Sequence, residues 1–317
     1  MPLPTNILVL GLGELGTAIL NSLSTRAPHT TKLTVTLRPQ TISSPSASKK
    51  AEIESLRAQG ISILAADIST LSLTSLTELF KPFDLIISAL GFASGPGSQV
   101  KITRAVLDAK VPWYIPWQFG VDYDIVGRGS AQPVWDEQLD VRDLIRDPGQ
   151  KDTEWTIIST GMFTSFLFEE SFGVVLSDDG EVLVRALGGE ENRVTVTSPG
   201  DIGRAVAEVV FDGDERRYRN QVVYTAGDTI SYGRLAKTLE EVTGRTVRRE
   251  PRSVEVLREE LEENPEDVLR RYRVVFAEGK GVSWDKERSF NVQRGMEMQD
   301  ARGWLKENLE KKGLGGK

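Results

Sequence analysis

The chain has no cysteine and a single histidine, His29. Without thiols there is no disulfide, no thiolate nucleophile and no cysteine-ligated metal. One imidazole leaves no room for multi-histidine metal sites, so no metal is expected. Acid–base work falls to carboxylate, tyrosine, lysine or water. Long apolar runs are also missing: none approaches the roughly 20 residues that cross a bilayer, and the N-terminus enters a strand without a signal-type leader. A cytoplasmic protein with no membrane partner is expected. Positive charge is in short supply, with 39 Lys and Arg against 46 Asp and Glu for a net −7, which argues against nucleic acid as a partner. The one basic cluster, Arg245, Arg248, Arg249 and Arg252, lies beside the acidic run from Glu259 to Glu263 and reads as a self-compensating surface.

What is present starts at the amino end. The apolar run Ile7-Leu8-Val9-Leu10 leads into Gly11-Leu12-Gly13-Glu14-Leu15-Gly16 and then a helix-compatible segment from Thr17 to Leu23. A buried parallel strand reads as consecutive apolar residues. Three glycines in the G-x-G-x-x-G spacing allow a tight turn, close approach of a pyrophosphate, and close helix-on-strand packing. Helical N–H groups then face the phosphates, so Gly11, Gly13, Glu14, Leu15 and Gly16 are candidate dinucleotide contacts.

The 317 residues, 39% of them hydrophobic, suffice for one large or two modest domains. Leu33 to Leu37 reads as the second strand, ended by Arg38-Pro39; Gln40 to Ser48 is a Ser/Thr/Pro-rich loop. A helix from Lys49 to Gln59, a strand from Ile61 to Ala66, and a helix from Ser72 to Phe80 come next. Asp84 to Leu90 is the strongest buried-strand signal, and it precedes a helix from Val100 to Ala109 and a strand from Trp113 to Pro116. This βα alternation predicts an α/β fold, a doubly wound parallel sheet of Rossmann type, with a smaller mixed α/β C-terminal domain. A helix from Val134 to Arg146 and a strand from Trp155 to Ser159 complete a first domain over residues 1–158. A return segment near 192–211 rejoins it, so the second domain, 159–317, is interleaved with the first. Ser231 and Gly244 bracket a further helix; Asn264-Pro265-Glu266-Asp267 predicts a helix start with proline in the first turn. The tail from Gly313 to Lys317 is expected to be disordered.

An acid at the end of strand two marks NAD, whereas an arginine accommodates a 2′-phosphate. Arg38 stands there, and its planar fork suits a phosphate. NADP(H) is the expected cofactor, with Lys49 or Lys50 as a second cation. Asp67 is either an adenine-edge contact or the cap of the next turn. Ser88 to Phe92, including Ala89, Leu90, Gly91 and Phe92, falls where the nicotinamide ribose would lie.

Three further segments carry a resemblance. Tyr114-Ile-Pro-Trp-Gln-Phe-Gly-Val-Asp122 is similar to R-F-x-P-S-E-F-G-x-D, Ser159-Thr-Gly-Met-Phe163 to S-S-N-x-F, and Pro199-Gly-Asp201-Ile-Gly to an E-D-I-G helix start. Through them the chain resembles the isoflavone reductase-like and NmrA-like branch of the atypical short-chain dehydrogenases, from Ile7 to about Gly244. The resemblance implies a Rossmann domain, NADPH as cofactor, and a cleft between the domains for an often aromatic substrate; Phe119 is then placed near the cofactor. Family reductases carry a lysine in a segment like F-E-E-K-A-x-V-R. The matching stretch here, Trp135-Asp136-Glu137-Gln138-Leu139-Asp140-Val141-Arg142, has glutamine at that position. The family's Ser-Glu is likewise replaced by Trp117-Gln118.

Gln138 cannot act as an acid, but its amide can orient a carbonyl or a water. Candidate proton donors are Asp122, Tyr123, Asp136 or water, with Asp122 and Tyr123 favoured because they follow a strand at its carboxyl end. Trp117, Gln118, Met162, Phe163, Phe166 and Phe168 are candidate walls for an aromatic or polycyclic substrate. Three readings remain open, in this order: an NADPH-dependent reductase of a carbonyl, imine or activated double bond in an aromatic secondary metabolite; a non-redox cyclase, condensing enzyme or isomerase that retains NADP(H); and an NADP(H)-sensing regulatory protein. The protein is read as a monomer or homodimer.

Overall fold

The computed structural model describes residues 3–178, 181–214 and 217–314. Its chain forms two compact units. The first takes Met1–Gln118, Glu137–Ile158 and Ile202–Val223; the second takes Phe119–Asp136, Ser159–Asp201 and Tyr224–Lys317. The interleaving therefore differs from the expected boundaries: residues 119–136 leave the first unit, and the segment that returns to it is 202–223.

The first unit is built in βα steps. Strand β1 (Asn6–Leu10) feeds helix α1 (Glu14–Arg26), then β2 (Lys32–Leu37), the short α2 (Pro39–Ile42), α3 (Ala47–Ala58), β3 (Ser62–Ala65), α4 (Leu73–Phe80), β4 (Leu85–Ser88), α5 (Ser98–Asp108) and β5 (Trp113–Ile115). After α6 (Tyr123–Val126) in the second unit, α7 (Val134–Ile145) leads to β6 (Glu154–Ser159). The sheet order is Gln221–Tyr224, β6, β5, β4, β1, β2, β3, and every pair from β6 to β3 is parallel. Ile7, Leu8, Val9 and Leu10 are all fully buried. Both faces of β1 are covered, which is why the run is continuously apolar rather than alternating. Helix α1 lays Leu15, Gly16, Ile19, Leu20 and Leu23 on the sheet. Connections leave β1 toward β2 and β3 on one side, and toward β4, β5 and β6 on the other. A crevice opens outside the carboxyl ends of strands where the winding reverses in this way.

The second unit holds two three-stranded sheets. In one, Arg193–Thr197 pairs antiparallel with Asp228–Ser231 and parallel with Met162–Phe163. In the other, Glu181–Leu187 lies between Val175–Asp178 and the edge strand Val247–Arg252. Its helices are amphipathic: Ser231 accepts a hydrogen bond from the Arg234 N–H at the start of Tyr232–Thr243, and Gly244 closes it in the left-handed region.

Several local expectations change. Residues 40–48 contain α2 and the start of α3 rather than a continuous loop, because proline at a first helical position is compatible with helix. Pro265 precedes its helix instead of opening it; Asp267 caps Val268–Glu278 by accepting from the Leu269 and Arg270 N–H groups. Gly313 and Leu314 are placed, with Leu314 buried and Gly313 accepting from Ser177 Oγ; residues 315–317 lie outside the described residues.

Candidate functional site

A cleft of about 530 Å³ lies in the first unit. It is walled by the turn after β1 (Gly11, Leu12, Gly13), the ends of β2 and β3 and the turns after them (Thr36 to Arg38, Thr41, Ala66 to Ser69), the segment after β4 (Ala89 to Gly91, Ser94, Gly95), and Lys49 and Glu52 on α3.

The three glycines of the first turn have three different tasks. Gly11 sits at φ +92, and a Cβ there would come within 2.7 Å of Leu90; only glycine adopts this turn without strain. At Gly16 a Cβ would lie 2.1 Å from the Gly11 carbonyl oxygen, so this residue serves close packing of α1 on the turn. Gly13 is the N-cap of α1, with no side-chain cap, and a Cβ there would meet nothing within 4 Å. The protein itself makes no demand for glycine at that point; the open space and the uncapped helix start fit a phosphate group.

Arg38 is exposed at the end of β2. Among the described residues its guanidinium makes no hydrogen bond or ion pair, and Asp67 is a neighbouring charge. The Asp67 carboxylate accepts from the Ser69 N–H at 3.1 Å and from Ser69 Oγ at 2.5 Å. Those bonds, helped by the charge of Arg38, hold its carboxyl below the ordinary range. Lys49 Nζ pairs with Glu52 Oε2 at 2.7 Å.

The other end of the cleft is braced from α7. Gly97, left-handed at φ 78, gives α5 no side-chain cap. Instead Glu137 reaches across: Oε2 accepts from the Gly97 N–H at 3.0 Å, and Oε1 from the N–H groups of Gln99 at 2.7 Å and Val100 at 3.2 Å. The Gln99 side chain then donates to the Leu90 carbonyl at 2.8 Å. Next to this segment, Trp117 packs where a Gly91 side chain would go and meets Phe92 edge to face at 4.4 Å.

Gln138 comes directly after Glu137 on α7 and is fully buried. Neither amide atom has a hydrogen-bond partner among the described residues. Its backbone carbonyl accepts from Gln118 Nε2 at 2.7 Å, and Gln118 Oε1 accepts from Arg142 Nε at 2.7 Å. A buried amide with no partner costs about 1–3 kcal/mol, so Gln138 remains a candidate to hold a water or another polar group.

Among the expected cofactor contacts, Gly11, Gly13, Arg38, Lys49, Asp67, Ala89, Leu90 and Gly91 line the cleft. Leu15 and Gly16 pack beneath it, Glu14 and Lys50 are exposed outside its walls, and Phe92 backs onto Trp117. Phe119 is buried and belongs to the second unit. Thr41, Glu52, Ser69 and Ser94 are wall residues that the sequence pattern does not single out. Glu52 alone carries a signal, its i,i+3 spacing from Lys49.

The favoured proton donors are engaged in structure. Asp122 caps α6, accepting from the Asp124 and Ile125 N–H groups, and takes the Tyr224 hydroxyl at 2.7 Å; Tyr123 is buried edge-on against Trp135. Asp136 accepts from the Gly129 N–H. The expected aromatic walls of the second unit divide. Met162 is core, and Phe168 is buried against Trp304, stacked at 4.9 Å, so its faces are spent on packing. Phe163 and Phe166 remain half-buried, the latter stacked on Phe172 at 4.5 Å. The glycine of Ser159-Thr-Gly-Met-Phe163 has a packing cause: at φ +70, a Cβ on Gly161 would lie 2.1 Å from the Thr195 carbonyl oxygen.

A doubly wound sheet with a glycine turn, an uncapped helix start and an arginine after the second strand defines the Rossmann-like class. Within that class the chain belongs to the NmrA-like family, whose pattern it matches over residues 5–295. It is 44% identical over 309 residues to an NmrA-like family domain-containing oxidoreductase of Gibberella moniliformis, covering 96% of this chain and 99% of that one. It is 25% identical over 293 residues to phenylcoumaran benzylic ether reductase Betv6 of Betula pendula, covering 90% and 91%. Among solved structures, leucoanthocyanidin reductase from Vitis vinifera, determined as a binary complex with NADPH, superposes with a TM-score of 0.77 at 18% identity, covering 96% of this chain and 99% of that one. No helix among the described residues is long and apolar enough to cross a membrane.

Proposed function

We propose that the protein is an NADPH-dependent reductase of an aromatic or polycyclic metabolite, acting on a carbonyl, imine or activated carbon–carbon double bond. The observation that carries this reading is the presence of the open position at Gly13 and the unbonded guanidinium of Arg38 in the lining of one cleft. The NADPH-bound grape reductase and the reductase names of the relatives support it.

NADPH supplies a hydride when bound. The chain's own residues do the rest. The N–H groups at the start of α1 take the pyrophosphate, and Arg38 takes the 2′-phosphate through its fork. Leu90, held by Gln99, and Gly91 fix the end of the site after β4, where Trp117 and Phe92 offer ring faces and edges to an aromatic substrate. Gln138, fully buried and not among the residues walling the cleft, orients a water through its amide rather than touching the substrate. Since the Asp122 carboxylate is occupied by Tyr224 and the α6 cap, water delivers the proton.

The test is NADPH oxidation followed by absorbance over a panel of aromatic enones, ketones and imines. Steady oxidation coupled to substrate reduction is the expected result. A second reading, a non-redox isomerase or cyclase retaining the dinucleotide, is favoured by the neutral amide at position 138. Substrate conversion with NADP⁺ alone and no net redox change would select it and overturn the first.

A further inference from the structure

The cleft end that would meet an adenosine 2′-substituent carries two cations, and they are not equivalent. The Arg38 guanidinium makes no hydrogen bond or ion pair among the described residues, whereas Lys49 is paired one helical turn away with Glu52, at 2.7 Å, and both Lys49 and Glu52 form the wall. The carboxylate of Glu52 therefore stands inside the same small volume as any group that Lys49 could bind.

We propose that Glu52 is a specificity-determining residue for the dinucleotide, an internal carboxylate that holds the Lys49 ammonium and so limits the preference for a 2′-phosphate over a 2′-hydroxyl. This inference rests on the cleft being the dinucleotide site. A 2′-phosphate brings a charge of roughly −1.5 to −2 at neutral pH. To gain Lys49 it must displace Glu52, and the displaced carboxylate then faces it as a like charge. A 2′-hydroxyl meets neither cost. It is also a donor, and a carboxylate near the second strand is the group that accepts it in NAD sites. Glu52 thus works against NADP(H) and for NAD(H), while Arg38 works the other way; their balance sets the selectivity.

Fluorescence titration of the whole protein with NADPH and NADH tests this. In Glu52→Gln, Lys49 is released without loss of side-chain volume. The ratio of the NADH to the NADPH dissociation constant is expected to rise about fivefold, through tighter NADPH binding and equal or weaker NADH binding. Adding Lys49→Met should remove most of the gain, because Glu52 acts chiefly through Lys49. An unchanged ratio, equal tightening of both dinucleotides, or a gain left undiminished by Lys49→Met would overturn the role given to Glu52. Failure of the unmutated protein to bind either dinucleotide would instead overturn the reading of the cleft, and Glu52 with it.

Discussion

Gly13 and Gly16 stand three residues apart and answer to different constraints. At Gly16 the neighbour is backbone, 2.1 Å from a Cβ position, so Gly16→Ala forces α1 off the sheet and should cost about 1–3 kcal/mol, read from urea unfolding. Gly13 is an N-cap with open space beside it, and serine is a good N-cap. Gly13→Ser should leave stability within about 0.5 kcal/mol yet weaken dinucleotide binding at least about tenfold, because the new side chain enters the phosphate position. Equal effects of the two substitutions on stability would refute this division. Gln138 offers the converse case. Its amide is buried with no partner among the described residues, so Gln138→Met removes an unsatisfied polar group at similar volume. Stability should rise by about 1 kcal/mol while turnover falls; a loss of stability would mean the amide has a structural role.

At the scale of elements, the site depends on a brace running from α7 through α5 to the segment after β4. One carboxylate, Glu137, accepts from three N–H groups, and Gln99 carries the restraint to Leu90. Glu137→Gln keeps the shape but replaces charge-assisted acceptors with one neutral carbonyl. A loss of about 1–3 kcal/mol is expected, together with faster amide exchange in residues 97–100; unaltered exchange there would show that α5 caps itself. The edge strand Val247–Arg252 gives the basic cluster a physical place. Arg249 pairs with Glu190 and Glu240, and Arg252 with Glu250 and Glu260. Charges and Pro251 on an open edge discourage further strand pairing.

For the whole molecule, ligand binding is linked to folding. NADPH at a hundredfold excess over its dissociation constant should stabilise the unit that binds it by about 2.7 kcal/mol. Hydrogen exchange should slow at residues 11–16, 36–41 and 88–95 of the first unit. Protection confined to the second unit would place the dinucleotide elsewhere.

The sequence by itself determined the βα order, the glycine turn and the arginine after β2. These are local: a fully buried parallel strand must be continuously apolar, and a turn feeding a helix writes its glycines in adjacent positions. The NmrA-like resemblance was legible for the same reason, in short contiguous segments. Only the tertiary structure decided which of those residues face the cleft. Gly11 and Gly16 are packed while Gly13 is open, Phe168 is taken up by Trp304, and the Asp122 carboxylate is taken up by Tyr224. Glu137 reaches residues 37 to 40 positions away, and Glu52 lines the cleft because α3 folds there. Contacts between elements far apart in the chain leave no periodic trace in either one, so burial and pairing had to be read in three dimensions.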